Sequence, residues 1–252
     1  MEWDDRHARV WRGRGNVAAF TRAVIPTGFP ELDRSLPGGG WPLGALTEVF
    51  VDGYGIGELG LLMPALAALA KADPVKPKKW IAWVAPPFVP YAPALQQHDV
   101  NIDRLLMIHP TPGNKSRLWA IEQAVRSGSS AGVLAWVAAA DAVILRRLQL
   151  AAEDQGCWVM LFRPASARLQ RSPAALRIRV SRAGMDAGMD ARGRAMHGAI
   201  ADARGRATHG AVADVPATTR VEIIKCRGGR PGIVEVAGFA FDAEATTSAS
   251  RQ

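Results

Sequence analysis

Residues 48–62 read EVFVDGYGIGELGLL, and this stretch predicts how the main domain of the chain begins. The opening EVFV is apolar enough for a buried strand, and the closing residues start an apolar helix. Between them, Gly53, Gly55 and Gly57 form a glycine-rich turn. A strand, a glycine-rich loop and a helix in this order are typical of a loop whose backbone amides hold phosphate. No Lys follows the last glycine, where a working loop would place one.

Strand and helix signals alternate through the first two thirds of the chain. Continuous apolar runs predict strands at 45–51, 80–85, 104–109, 132–138 and 157–162. Helical patterns fall between them at 58–72, 89–99, 115–128 and 139–156. Apolar strands separated by helices favour a parallel sheet that is covered by helices on both faces.

The pattern changes in the last third. Apolar and polar residues alternate at 175–182, 219–227 and 232–238, with no helix between them. These strands are expected to form an antiparallel extension of the sheet. The predicted fold class is therefore α/β, with a mostly parallel sheet flanked by helices and an antiparallel C-terminal extension.

A low-complexity segment interrupts the late strands. DARGRAMHGAIA at 190–201 is followed directly by DARGRATHGAVA at 202–213, which is a tandem duplication. Two copies are too few for a stacked repeat architecture, and such a composition buries little apolar surface. We therefore expect a disordered loop here. The predicted divisions are an N-terminal segment 1–24, a core 25–182, the duplicated loop 183–217, C-terminal strands 218–240 and a disordered tail 241–252.

Bulk composition indicates a cytoplasmic globular protein. Hydrophobic residues make up 48% of the 252 residues, which is enough for a real core. No apolar run reaches the roughly 18–20 residues that span a bilayer, and no signal-like start argues for secretion. Cys157 and Cys226 lie in apolar strand-like runs and are interpreted as reduced core residues, without a disulfide or metal role.

Positive charge is concentrated late in the chain. Residues 163–230 contain 14 Arg or Lys and 5 Asp or Glu, a surplus of 9. Because the whole chain carries +8, the remainder carries −1. A basic block on a neutral body predicts an anionic partner, either nucleic acid or an acidic protein surface. Arg-rich codon usage in a low-complexity segment would give the same count, so both interpretations stay open.

The stretch TGFPELDRSLPGGGWPLGALTEVFV at 27–51 resembles the segment that leads into the RecA-like recombinase core. In that family a Thr-Gly, a Leu-Asp, a glycine turn and a Gly-x-x-x-Glu strand precede the phosphate loop. The matching residues here are Thr27-Gly28, Leu32-Asp33, Gly38-Gly39-Gly40, and Gly44 with Glu48. A second likeness is VNIDRLLMIHP at 100–110. Together these imply a RecA-like core over about residues 25–165.

The positions that carry ATPase chemistry in that family hold other residues here. Alignment on Glu48 puts the Lys and Thr positions of the loop on Gly57 and Glu58, so a negative charge stands where phosphate would bind. The water-activating Glu would fall near Pro86 or Pro87. The Mg²⁺-binding Asp would fall near Val137, and Asp141 comes about four residues too late. We predict that the chain does not hydrolyse ATP.

Two further stretches resemble the ImuA family, which is associated with the SOS response and translesion synthesis. GIGELGLLMPALA at 55–67 resembles its version of the loop and helix, and VEIIKCRGGRPG at 221–232 resembles its Arg-Gly-Gly element. The resemblance implies a non-catalytic, cofactor-free subunit of a mutagenic polymerase assembly. Its implied partners are the polymerase-like protein ImuB, an error-prone replicative-type polymerase and, as a further candidate, a RecA-like recombinase. A SulA-like inhibitor of cell division and a divergent nucleotide-binding protein are the alternatives.

The sequence contains two candidate surfaces for binding a partner. The loop with Gly53, Gly55, Gly57 and Glu58 is either an inherited strand-to-helix turn, in which Glu58 meets the helix dipole, or a docking surface. The basic late strands are the second candidate, and their residues are Arg177, Arg179, Lys225, Arg227 and Arg230. Arg177 and Arg179 alternate with apolar residues and share one face of their strand. They form either an anionic-partner surface, with direct DNA contact left open, or a solubilising edge.

Trp119 lies outside the predicted strands and is interpreted as a core residue. It stands at helical spacing with Leu118 and Ile121. Trp3 and Trp11 stand beside arginines in the N-terminal segment and predict either a partner-binding helix or packing against the domain.

Overall fold

The computed structural model describes residues 23–71, 79–183 and 218–237. The predictions for the N-terminal segment with Trp3 and Trp11, for nearly all of the duplicated loop, and for the tail lie outside the described residues. They stay predictions.

The described elements follow the predicted alternation closely. The strands are β1 Val24–Ile25, β2 Trp41–Pro42, β3 Ala45–Val51, β4 Trp80–Val84, β5 Leu105–Ile108, β6 Ser130–Trp136, β7 Trp158–Pro164, β8 Leu176–Arg182, β9 Thr218–Cys226 and β10 Gly232–Ala237. The helices are α1 Pro30–Ser35, α2 Met63–Ala70, α3 Ala92–Gln97, α4 Asn114–Arg126 and α5 Ala142–Gln155. Short 3₁₀ turns occur at Gly60–Leu62, Ile102–Arg104 and Ala165–Leu169.

Eight of the described strands form one sheet in the order β10-β9-β8-β3-β7-β6-β4-β5. All pairings from β8 through β3 to β5 are parallel, while β9 and β10 run antiparallel to their neighbours. The predicted α/β class is confirmed. One detail differs, because β8 pairs parallel with β3 and the antiparallel part begins only at β9.

Helices cover both faces of this sheet and create two apolar cores. One core joins α1, α2 and α3 to the sheet through residues such as Leu32, Leu66 and Leu95. The other joins α4 and α5 through Ile121 and Leu148. Strand β3 is buried at all seven positions because it lies between the two layers and between two strands. The glycine-rich loop that follows β3 is therefore anchored to a buried strand inside the sheet.

The interpretation of Trp119 as a core residue is wrong. Its side chain is 64% exposed, while Leu118, Ile121 and Val125 of the same helix are buried. Successive helical residues are about 100° apart, so a residue beside a buried one can point away from the core. Trp119 lies on the outer side of α4.

Both cysteines are free thiols. Burial raises the pKa of the Cys157 thiol to about 12 and that of Cys226 to about 11.

In the described part of the chain, no helix combines the length and apolar character that crossing a membrane requires.

Candidate functional site

The glycine-rich loop leaves the carboxyl end of β3 and bends sharply before α2. Gly55 and Gly57 have φ values of 78° and 103°, a region that side-chain-bearing residues rarely adopt. A Cβ on Gly57 would also lie 3.0 Å from the Thr219 hydroxyl of β9. Gly53 has neither a positive φ nor a close neighbour. Two of the three glycines are thus required by the shape of the loop.

The side chain of Glu58 folds back into this loop. The Gly55 amide donates to its Oε1 and the Ile56 amide donates to its Oε2, each at 2.9 Å. Glu58 is only 4% exposed. Consecutive backbone amides that converge in this way form a small concave site for an anion. Here the anion is a carboxylate of the same chain.

The helix after the loop begins later than the sequence predicts. The helix predicted from residue 58 begins as a 3₁₀ turn at Gly60–Leu62 and becomes regular only at Met63. The expected interaction of Glu58 with the helix dipole is therefore replaced by direct hydrogen bonds to loop amides.

The residues that follow the neighbouring strands differ from the acidic residues of a working ATPase site. Pro86 and Pro87 follow β4, and Val137 after β6 is buried. Asp141 accepts a hydrogen bond of 2.8 Å from the Ile144 amide and caps α5. A carboxylate at a helix N-cap satisfies an otherwise unpaired donor, which is a structural role.

A buried ion cluster lies below the loop, in the middle of the sheet. The Glu48 carboxylate on β3 accepts from Arg163 on β7 at 2.6 Å and from Arg177 on β8 at 2.8 Å. Glu48 and Arg163 are fully buried, and the Arg177 side chain nearly so. The cluster connects three adjacent strands at one level. Buried charge is tolerated only when it is paired and hydrogen-bonded.

Both arginines of this cluster also donate to backbone or amide oxygens, while the Arg163 Nε has no acceptor among the described residues. Arg163 donates to the Ala140 carbonyl at 3.2 Å and to Gln170 Oε1 at 2.9 Å. Arg177 donates to the Arg168 carbonyl at 3.1 Å, and its guanidinium lies 4.9 Å from the centre of the Phe50 ring. The prediction of Arg177 as part of a partner surface is therefore wrong, because it is 6% exposed and committed to Glu48.

The other four predicted basic residues do not form one surface. Arg179 shares the face of Arg177, as expected, but pairs with Asp52 at 2.7 Å beside the glycine-rich loop. Lys225 donates to the Ser172 carbonyl at 2.8 Å. Arg227 and Arg230 lie exposed in the β9–β10 turn, at the opposite end of the sheet from the loop. Only these last two are well placed for a partner.

Lys225 sits in a positive environment. Its partial burial, followed by the nearby charges of Arg227 and Arg177, lowers its pKa below the ordinary value, and Glu48 opposes this. Arg227 lies 3.4 Å from Glu153, which partly balances the charge at the turn.

An open cavity of about 300 Å³ lies beside the glycine-rich loop, and we call it the apolar pocket. Its wall residues include Phe29, Ile56, Leu59, Trp83, Trp136 and Val236. Carboxyl ends of strands in parallel sheets are the usual place for ligands. The pocket therefore lies in the region where this fold usually binds ligands. Its wall is apolar, and it adjoins the glycine-rich loop whose amides bind Glu58.

Comparison with known proteins decides the family. Over 223 residues the chain is 30% identical to the protein called ImuA in two strains of Caulobacter vibrioides, covering 86% of this chain and 85% of each relative. The chain belongs to the ImuA family. No family model matches it. SulA from Pseudomonas aeruginosa, a solved structure, is 23% identical with a TM-score of 0.38, covering 47% of this ImuA-family chain and 97% of SulA.

Sequence reasoning missed two features of this ImuA-family protein. The first is the role of Arg163, although an arginine directly after the apolar run CWVMLF was a visible signal for a buried partner. The second is the apolar pocket, because its wall combines residues from β4, β6, β10 and three loops that are far apart in the sequence. No local sequence pattern predicts a pocket of this kind.

Proposed function

We propose that this chain is a non-catalytic accessory subunit of an SOS-induced, error-prone translesion synthesis complex. Its membership of the ImuA family supports the biological setting. The observation that carries the non-catalytic part is the position of the Glu58 carboxylate on the Gly55 and Ile56 amides.

The electrostatics of the loop argue against nucleotide binding. A nucleoside triphosphate needs free amides, a Lys on its terminal phosphates and a carboxylate that holds Mg²⁺. Here two amides already bind a carboxylate, whose charge would repel phosphate at close range. Pro86, Pro87 and Val137 stand at the other catalytic positions and offer no acidic group. The proposed activity is therefore exerted through protein contacts.

The proposed partners are the polymerase-like protein ImuB and an error-prone replicative-type polymerase, with a RecA-like recombinase as a further candidate. The proposed cellular location is the cytoplasm. Contact with DNA would use Arg227 and Arg230, which are exposed and basic.

The test joins a genetic and a binding experiment. A strain that lacks this protein is expected to lose damage-induced mutagenesis, and the wild-type gene should restore it. The tagged protein should co-purify with the ImuB-type protein from damaged cells. Calorimetry of the purified protein should give no binding of ATP at micromolar concentration. Micromolar ATP affinity would contradict the non-catalytic proposal, and unchanged mutagenesis in the deletion strain would contradict its setting.

A further inference from the structure

We propose that the apolar pocket is a docking site for an extended segment of a partner protein, in which bulky apolar side chains stand next to carboxylates. The proposal rests on the function proposed above, since it assigns the contact surface of an accessory subunit. Three features carry it: the wall of the pocket, its exposed rim and two arginines, in the lining and in the adjoining cleft, that have no acidic partner among the described residues.

The wall suits large apolar side chains. Two tryptophans, Trp83 and Trp136, and Phe29 form its floor with aliphatic side chains around them. A volume of about 300 Å³ lies at the lower end of the range for ligand pockets, enough for one or two bulky side chains. The neighbouring loop amides are occupied by Glu58, so the polar cradle that a phosphate would need is closed.

The rim is apolar and exposed. Phe88 is 71% exposed and Val89 is 85% exposed, and both line the pocket. Tyr54 on the facing loop is also exposed. Pro86, Pro87 and Pro90 restrict the backbone around these side chains, so that less conformational entropy is lost when a partner covers them. Contiguous exposed apolar residues of this kind mark sites of protein interaction.

Two arginines give the pocket a positive side. Arg182 lines it and donates to the Gly55 carbonyl at 3.3 Å, while Arg117 lies beside Tyr54 and Trp136 in an adjoining cleft. Among the described residues neither arginine forms an ion pair, and the Nε atoms of both are buried without a hydrogen-bond acceptor. A guanidinium in this state is best matched by a carboxylate. The complementary segment is therefore both apolar and acidic.

Net charge also disfavours a second copy of this chain as the occupant. The chain carries a net charge of +8, so two copies repel each other on average. A separate protein with an acidic segment avoids this repulsion. The proposed occupant is thus a partner protein.

The experiment identifies peptide ligands by selection from a random library, with no sequence chosen in advance. A display library of random 12-residue peptides is panned against the immobilised full-length protein, and enriched peptides are synthesised for fluorescence anisotropy. Three variants are compared: F88S/V89S at the rim, R182E on the positive side, and W119S as the control. Trp119 is also an exposed aromatic residue, at 64%, but lies on the outer side of α4. Melting curves check that each variant is folded.

The proposal expects peptides that combine at least two large apolar residues with Asp or Glu. Their affinity should fall about tenfold or more in F88S/V89S and in R182E, since anchors and buried charge pairs dominate such interfaces. W119S should bind like the wild type. Enrichment of no such peptide, or equal binding to F88S/V89S, would overturn the proposal.

One further variant tests the choice of occupant. The sequence after Ala237 continues GFAFDAE, which has the same apolar and acidic character and lies outside the described residues. If full-length F239S/F241S binds the selected peptides more tightly than wild type, the occupant is this chain itself and the partner proposal fails. Equal binding supports a separate partner.

The outcomes also separate this proposal from the proposed function. If F88S/V89S and R182E still co-purify with the ImuB-type protein and no apolar, acidic peptide is enriched, the pocket proposal fails and the function stands. If such peptides bind the pocket while even the wild type co-purifies with no polymerase-like protein, the function fails and the pocket proposal stands.

Discussion

The Glu48 carboxylate and the Arg163 guanidinium lie 2.6 Å apart, and both side chains are fully buried. The same carboxylate holds Arg177, so one negative charge faces two positive ones within the sheet. Desolvation of three charges is costly, and the cluster is retained only because each group has close partners. Removing one member leaves its neighbours buried and uncompensated.

We therefore predict that E48Q destabilises the protein by about 3–5 kcal/mol, the range found when one partner of a buried ion pair is removed. Chemical denaturation followed by tryptophan fluorescence measures this change. E31Q is the matched control, because Glu31 pairs with Arg34 on the exposed face of α1 and such pairs contribute about 0–1 kcal/mol. Equal effects of E48Q and E31Q would show that the buried cluster contributes little.

Glu58 gives a second prediction, which concerns the anion site of the loop. E58A should lose about 1–3 kcal/mol of stability, since two amide donors lose their charged acceptor. It should also gain affinity for inorganic phosphate, because the loop amides become free. Thermal unfolding with millimolar phosphate, compared with sodium chloride at equal ionic strength, detects binding as a rise in Tm.

The wild type should show no phosphate-specific rise in Tm. E58Q keeps one acceptor oxygen and should fall between wild type and E58A in stability. An identical phosphate response in wild type and E58A would mean that the loop amides are not the binding site.

The third prediction concerns the β9–β10 turn. R227A/R230A should weaken binding to DNA while the Tm stays within a few degrees, because both side chains are exposed. The log–log slope of affinity against salt should decrease by about one for each phosphate contact that is lost. The measurement is fluorescence anisotropy with a labelled oligonucleotide at several salt concentrations.

K115A/R146A removes the same amount of charge from two other exposed positions and is the control. If it weakens DNA binding as much as R227A/R230A, the effect comes from net charge and the turn is no specific contact. Arg177 is left unchanged, since its replacement would disturb the buried cluster.

Lys225 gives a prediction about pH. Partial burial and the charges of Arg227 and Arg177 hold its pKa below 10.5, its ordinary value. The folded protein therefore releases this proton before the unfolded chain does. The resulting penalty is fully present below the folded-state pKa and fades as pH rises toward the unfolded value, so stability should rise with pH in that window.

NMR titration of the Lys225 side chain measures the pKa directly. R227Q should raise the pKa of Lys225, because it removes one repelling charge. R146Q, at a distant exposed position, should leave it unchanged. A pKa of Lys225 that does not respond to R227Q would exclude the Arg227 charge as a cause and leave burial and Arg177.

The sequence predicts the strands well because most of them are apolar runs bounded by turns. Strand β3 was expected at the residues where it occurs, and β9 within one residue of its bounds. The shared face of Arg177 and Arg179 was also correct, since it follows from the period of a strand. Whether that face is buried depends on Glu48, which lies 129 residues earlier. Long-range pairing of this kind leaves no periodic signal.

The same limit applies to the loop. The sequence indicates a negative charge at Glu58, but not that the side chain turns back toward Gly55. In the folded protein Gly55 and Gly57 have positive φ angles, α2 begins only at Met63, and Gly57 lies close to Thr219 of β9. Local propensity alone favours a helix from residue 58.

The carboxylate of Glu58 has a consequence for regulation. In a working ATPase of this architecture, the loop changes shape according to whether ATP, ADP or nothing is bound, and hydrolysis acts as a timer. A loop whose amides bind a carboxylate of the same chain is expected to keep one shape, which is set when the chain folds. We expect that shape to be indifferent to the energy charge of the cell. Control of this protein would then fall to how much of it is made and how quickly it is removed.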